Sequence, residues 1–204
     1  RLPPTGERCF ARPSESLMPF SAFVDAIESP LHGADGALRR AVHYASHQNS
    51  SLETEFQPLW DEVERSLGWA DAAFGRPPAA ANFWMGEDAA RTSVHADLFD
   101  NVYVVLRGEK NFTLLPPPEG HALGRRPYRA ATWVEADAPD EEPASGAAAR
   151  CGLALQADEP ETFVPWTEMD LEREGAERGL RPIRATVRAG ELLFLPALWW
   201  HAVS

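Results

Sequence analysis

Three side chains in the strand-rich part of this sequence could share one metal ion. In His95-Ala96-Asp97 an imidazole and a carboxylate stand two residues apart. On an extended strand such positions point to the same face, so the two can converge on a single cation. The stretch LLFLPALWWHAV offers a third ligand, His201, closing an apolar strand. Two histidines and one carboxylate on one side of a metal leave about three of six octahedral positions open, which suits non-haem Fe(II) and its oxygen chemistry. Zinc more often takes a closed tetrahedral shell, or three ligands and a water. Taken alone, His-x-Asp also fits a strand-end histidine satisfied by a neighbouring carboxylate. The residues around it decide between the two.

Those residues form a set. Thr92 precedes His95 by three, Asn101 follows it by six and Lys110 by fifteen. Lys110 lies in VVLRGEKNFTLLPP, which reads as a strand, a tight turn at Arg107-Gly108 and a second strand. The stretches NFWMGEDAARTSVHAD, NVYVVLRGEKNF and TVRAGELLFLPALWWH together resemble the jumonji-C (JmjC) oxygenases of the cupin-like type, and within that family its lysyl hydroxylases. A looser likeness extends back to Tyr44 and so covers most of the chain.

The resemblance implies a fold, a chemistry and roles for residues. His95, Asp97 and His201 would be the Fe(II) ligands. Lys110 would bind the far carboxylate of the co-substrate 2-oxoglutarate, with Thr92 and Tyr44 as hydroxyl donors to it. Asn101 matches a position near the metal-proximal end of the co-substrate. Thr92 lies three residues from His95, so strict strand alternation puts it on the wrong face, and the resemblance implies a bend there. Tyr103 shares strand parity with His95, Asp97 and Asn101 and could face the cavity or pack in the core. The implied reaction consumes 2-oxoglutarate and O2, releases succinate and carbon dioxide, and hydroxylates a protein side chain, best matched to lysine at C-3. A GTP-binding protein is the substrate the resemblance suggests. Demethylation of methyl-lysine, metal-dependent peptide cleavage and a non-catalytic cupin binding module stay open as alternatives. The acids a peptidase could enlist as a base are Glu87 and Asp100.

Composition narrows the field further. At 204 residues, 44% of them hydrophobic, the chain can bury one substantial core, and one domain over 1–204 is the default. Lys and Arg number 19 against 31 Asp and Glu, a net charge of −12. That balance argues against a nucleic-acid partner, which draws on clustered cations. It is compatible with a basic polypeptide substrate. Cys9 and Cys151 stand far apart with no Cys-x-x-Cys spacing, so a reducing intracellular setting, cytoplasmic or nuclear, is the simpler expectation. No apolar run approaches the roughly 20 residues that cross a bilayer. Both ends look cut, and the resemblance implies further strands and a C-terminal helical region, through which a homodimer would form.

The elements that must position these residues can be read in order. A helix follows Met18-Pro19-Phe20-Ser21, with Ser21 as cap and Phe23, Val24, Ile27 and Leu31 at helical spacing. Ala37 to Ser46 reads as a strand, and Leu52 to Trp60 and Val63 to Trp69 as short helical pieces. His43 and His47 would share a helical face, although without a His-Glu-x-x-His pattern to make a protease helix. Residues 1–80 would thus support the metal-bearing strands of 81–118 and 182–204. Residues 119–160, rich in Ala, Pro and acids, read as a flexible acidic insertion with at most one strand near Thr132 to Glu135. Helices first, then antiparallel strands, give a mainly β protein: a double-stranded β-helix, or jelly roll, of the cupin type.

Overall fold

A computed structural model describes residues 1–2, 5–34, 36, 40–135 and 152–204. The N-terminal part holds β1 (Cys9–Arg12), α1 (Phe20–Glu28), β2 (Tyr44–Ala45), α2 (Gly68–Phe74) and β3 (Met85–Gly86). Then come β4 (Thr92–Ala96), β5 (Asn101–Val104), β6 (Glu109–Leu115) and a 3-10 segment at Pro117–Leu123. β7 (Arg126–Glu135), β8 (Leu153–Ala157) and β9 (Phe163–Trp166) follow. A helical turn, α3 (Leu171–Glu174), leads to β10 (Ile183–Arg188), β11 (Leu192–Leu195) and β12 (Trp200–Val203). The chain divides into two compact units, one of Arg1–Met18, Leu31–Ala41 and Arg91–Ser204, the other of Pro19–Pro30 and Val42–Ala90.

In the larger unit the central sheet runs in the order β10-β6-β12-β4. β6 explains why it is central: Phe112, Thr113, Leu114 and Leu115 are all buried, so both faces of this strand are covered. Phe112 and Leu114 face one way, into a cluster with Val105, Val187 and Leu195. Leu115 faces the other way with Val94, and Leu123, Met169, Leu171 and Leu180 cover it. The first cluster is closed by the two-stranded ribbon β5-β11, which contributes Tyr103 and Leu193. A second sheet joins β7 to β1, β8 and β9 and has its own cluster of Leu2, Ala131 and Leu155. This arrangement of largely antiparallel sheets is the jelly-roll class that the strand pattern predicts.

Two expectations need correction here. The turn at Arg107-Gly108 does not join a hairpin: β5 pairs with β11 while β6 pairs with β10, so the chain changes sheets there. The turn after β10 makes the same change, and the two turns are bonded together through Ala189 N–H to the Gly108 carbonyl (3.0 Å) and Gly190 N–H to the Val105 carbonyl (2.9 Å). Gly108 has φ +75°, a left-handed conformation that costs glycine least. The described residues of the acidic insertion also hold more strand than the single one expected near Thr132 to Glu135. Arg126–Glu135 is one long strand that pairs with Leu153–Ala157 over five residues and with β1 in parallel, with Tyr128 and Ala130 buried on one face and Ala131 on the other. The most acidic stretch, and Cys151, lie outside the described residues. Cys9 is a free thiol.

In the smaller unit, α1 begins one residue before Ser21, and no side chain caps it; Pro19 sits at the cap. Among the described residues of 37–46 only Tyr44–Ala45 is strand, paired with Met85–Gly86. His43 and His47 therefore flank a strand and share no helical face. Their roles are separate: the His43 N–H bonds the Glu87 carboxylate (2.6 Å), and the His47 ring meets Glu55. Phe20, Phe56 and Phe83 pack as an aromatic group. The Tyr44 ring lies across Gly86 so closely that an added Cβ would stand 2.3 Å from Tyr44 Cδ2. Gly86→Ala should displace that ring and destabilise this unit by roughly 1–3 kcal/mol, as overpacking does. A urea titration that leaves the midpoint unchanged would show the ring free to move aside.

Candidate metal centre

His95 sits on β4 and His201 on β12, and the two are direct cross-strand partners. Side chains opposite one another in an antiparallel pair share a face, so the two rings meet, with centroids 4.1 Å apart. Asp97 follows β4 by one residue and turns its carboxylate between them. Its Oδ1 lies 3.8 Å from His95 Nε2 and its Oδ2 lies 3.7 Å from His201 Nε2. One donor atom from each residue falls within 4.8 Å of the other two, and among the described residues this is the group with metal-binding geometry.

The orientation of the rings is set by their own strands. His95 Nδ1 bonds the Ser93 carbonyl (2.9 Å), and His201 Nδ1 bonds the Trp199 carbonyl (3.0 Å). Each Nδ1 therefore donates to its carbonyl, and each Nε2 is turned toward the Asp97 carboxylate. Metal-ligating histidines are commonly fixed in this way. Asn101, at the start of β5, donates from Nδ2 to Asp97 Oδ2 (2.9 Å) and so anchors the carboxylate. The donor set, two imidazole nitrogens and one carboxylate from a single side, fits a non-haem Fe(II) site with open positions better than a closed zinc shell.

His201 is buried, 5% exposed, and burial is the main cause that lowers its pKa below the ordinary histidine range. The nearby His95 pushes the same way, while the Trp199 carbonyl and Asp97 oppose. At neutral pH this ring is uncharged and its lone pair is available to a metal. The linkage has a definite sign. Below about pH 6.5 the unfolded chain takes up a proton that the folded site resists, so the metal-free protein loses stability as the medium is acidified. The slope from this one group is at most about 1.4 kcal/mol per pH unit. Urea midpoints measured from neutral to mildly acid pH should fall more steeply for the native chain than for His201→Gln; parallel curves would contradict this assignment.

The remaining site residues are placed by register. Rows across the central sheet join Leu114, His201 and His95, then Phe112, Val203 and Thr92. Lys110, the next residue of the same parity on β6, pairs with Val187. All of them belong to the face that carries the histidines. Lys110 is four residues from Leu114, or about 13 Å along the strand, and Thr92 is in the row halfway between. Thr92 reaches this row because the β4-β12 register shifts between His201 and Val203, two residues on β12 against three on β4. This bulge is the bend that alternation could not supply.

Asn101 proves to touch Asp97 directly. Tyr103 points between the sheets, edge-on to Phe112 at 5.1 Å. Parity does not place it, because the loop after Asp97 breaks the alternation and β5 belongs to a different sheet. Tyr44 belongs to the smaller unit, where its ring packs on Gly86. Trp199 and Trp200 pack on opposite apolar clusters.

Two roles at the centre have no signature in the sequence. Trp166 of β9 lies parallel to the His95 ring, 6.5 Å between centroids and 14° between planes, and itself packs on Phe10. A tryptophan so remote in the chain carries no local signal of this placement. Asp100 accepts the Ala197 N–H at Oδ1 (2.8 Å), and the Leu198 N–H bonds the Asp97 carbonyl (2.7 Å). These bonds clasp the loop that carries Asp97 to the loop before His201, which commits Asp100 to structure.

With the geometry in place, comparison with known proteins assigns the family. A model described as "cupin-like domain" matches residues 2–204. The chain belongs to the cupin-like (JmjC) domain family. Its relatives include the lysine-specific demethylase JMJ32 of Arabidopsis thaliana, 33% identical over 96% of this chain and 55% of that protein. The human bifunctional peptidase and (3S)-lysyl hydroxylase JMJD7 is 36% identical over 98% of this chain and 58% of its own length. The JmjC domain-containing protein E of Dictyostelium discoideum is 32% identical, with 98% and 58% covered. This cupin-like chain thus spans rather more than half the length of these curated relatives.

Proposed function

We propose that this protein is an Fe(II)- and 2-oxoglutarate-dependent dioxygenase that hydroxylates a side chain of a protein substrate, with lysine the target and C-3 the position. The observation that carries this is the convergence of His95, Asp97 and His201, each imidazole Nδ1 bonded to its own strand and each Nε2 turned inward. When bound, Fe(II) with 2-oxoglutarate and O2 would supply the oxidation that turns C–H into C–OH, the co-substrate leaving as succinate and carbon dioxide.

The chain's own residues have three tasks. His95, Asp97 and His201 hold the ion from one side, leaving about three positions to reactants. Asn101 keeps the Asp97 carboxylate turned toward the centre. Lys110 supplies the positive charge that a dicarboxylate needs at its far end, with Thr92 between it and the histidines. Lysine as the target is supported by the names of two relatives, a lysine-specific demethylase and a lysyl hydroxylase. Hydroxylation is preferred to peptide cleavage because the two acids that could serve as a base have structural tasks, Asp100 accepting the Ala197 N–H and Glu87 the His43 N–H. The net charge of −12 suits a basic intracellular polypeptide, a GTP-binding protein by family likeness, and disfavours nucleic acid.

The test is succinate release by the purified chain with Fe(II), 2-oxoglutarate and lysine-bearing peptides, followed by mass analysis of the peptide. Gain of one oxygen atom on lysine supports the proposal. Release of formaldehyde from a methyl-lysine peptide would replace it with demethylation, and cleavage that persists without 2-oxoglutarate would replace it with proteolysis.

A further inference from the structure

The two loops that flank the metal ligands carry apolar side chains that the fold leaves in solvent. Leu98 is 78% exposed, Phe99 67% and Leu198 50%. Leu98 and Phe99 directly follow Asp97, and Leu198 precedes His201 by three residues. A single exposed leucine means little, but three large apolar groups gathered beside one site mark a surface meant to be covered.

Hydrogen bonds tie the two loops to each other. The Leu198 N–H to Asp97 carbonyl bond lays the backbone of Leu198 alongside that of Leu98, and Asp100 binds Ala197 one residue further back. Leu198 itself has φ +67°, a left-handed conformation that a leucine adopts only under constraint. A side chain kept strained and exposed next to a functional centre points to use of that position.

We propose that Leu98, Phe99 and Leu198 form an apolar collar at the metal centre that seats the hydrophobic side chains of an extended, basic polypeptide, those flanking the residue to be oxidised. The inference rests on the reading of the site as a protein oxygenase. Two features select this occupant. Leu98 and Phe99 directly follow the ligand Asp97, so a polypeptide held by them would lie beside the centre. The net charge of −12 attracts a cationic polypeptide, and the collar adds the contacts that charge alone does not give.

The experiment uses the whole chain loaded with Mn(II) and an unreactive 2-oxoglutarate mimic. Two synthetic peptides of equal positive charge serve as probes, one with its central lysine flanked by leucines, the other by serines. Fluorescence polarisation should show the leucine peptide binding about tenfold more tightly, as burial of a few methylene groups would give. In Leu98→Ser/Phe99→Ser the preference should vanish while Mn(II) affinity stays. Equal binding of both peptides to the native chain overturns the collar, and needs no variant that folds. So does a preference that survives the double substitution, or self-association lost in the variant with peptide binding unaltered. Failure to bind Mn(II) at all would sink the oxygenase reading itself, a separate outcome.

Discussion

His95→Ala should yield a protein that folds and retains no iron. The ring is only partly buried, so its loss costs little packing, while it provides one of three donors to the ion. Removing an outer-shell partner of a metal ligand typically lowers affinity by about 10–100-fold, and removing the ligand itself should exceed that. The two remaining donors, His201 Nε2 and Asp97, lie 3.7 Å apart and cannot replace a third from the same side. Inductively coupled plasma analysis after gel filtration would read the iron content, and circular dichroism the fold. Iron retained at one per chain would show that the ligands are misassigned. Loss of both iron and fold would be answered by Asp97→Asn, which keeps the shape and removes the negative charge.

Lys110→Ala should weaken 2-oxoglutarate binding about a hundredfold or more and leave the metal in place. A carboxylate drawn into a partly buried site needs a charged partner, and removing one member of such a pair costs roughly 3 kcal/mol or more. The register supports this role: Lys110 lies on the histidine-bearing face, two rows beyond His201, with the Thr92 row between. The metal donors are separate residues, so Mn(II) affinity should not change. Calorimetric titration of the Mn(II)-loaded protein with 2-oxoglutarate would decide the matter. Unchanged co-substrate affinity would move the pocket elsewhere, whereas lost metal affinity would mean that Lys110 supports the strands and not the ligand.

Much of the site is legible in the amino-acid sequence. The i, i+2 spacing of His95 and Asp97 is a statement about strands and needs only alternation. That Lys110 stands in phase with Phe112 and Leu114 follows from the same period of two, whereas the burial of β6 on both faces does not. Other parts are not legible, each for a physical reason. Local residues at Arg107-Gly108 predict a hairpin wrongly, because turn chemistry is the same whether a chain reverses within a sheet or passes to the next. Composition underestimates Arg126–Glu135, whose stability comes from partners on both sides, β1 in parallel and β8 and β9 antiparallel.

By itself the sequence determined which atoms could bind a metal and which strand faces they share, since residue chemistry and alternation are local. Only the tertiary structure decided that His95 and His201 are opposite one another, that a bulge brings Thr92 to their face, and that Trp166 and Asp100 belong at the centre. Those facts depend on the register of strands separated by about a hundred residues. Register is fixed by the burial of a whole face at once, and no local segment carries it.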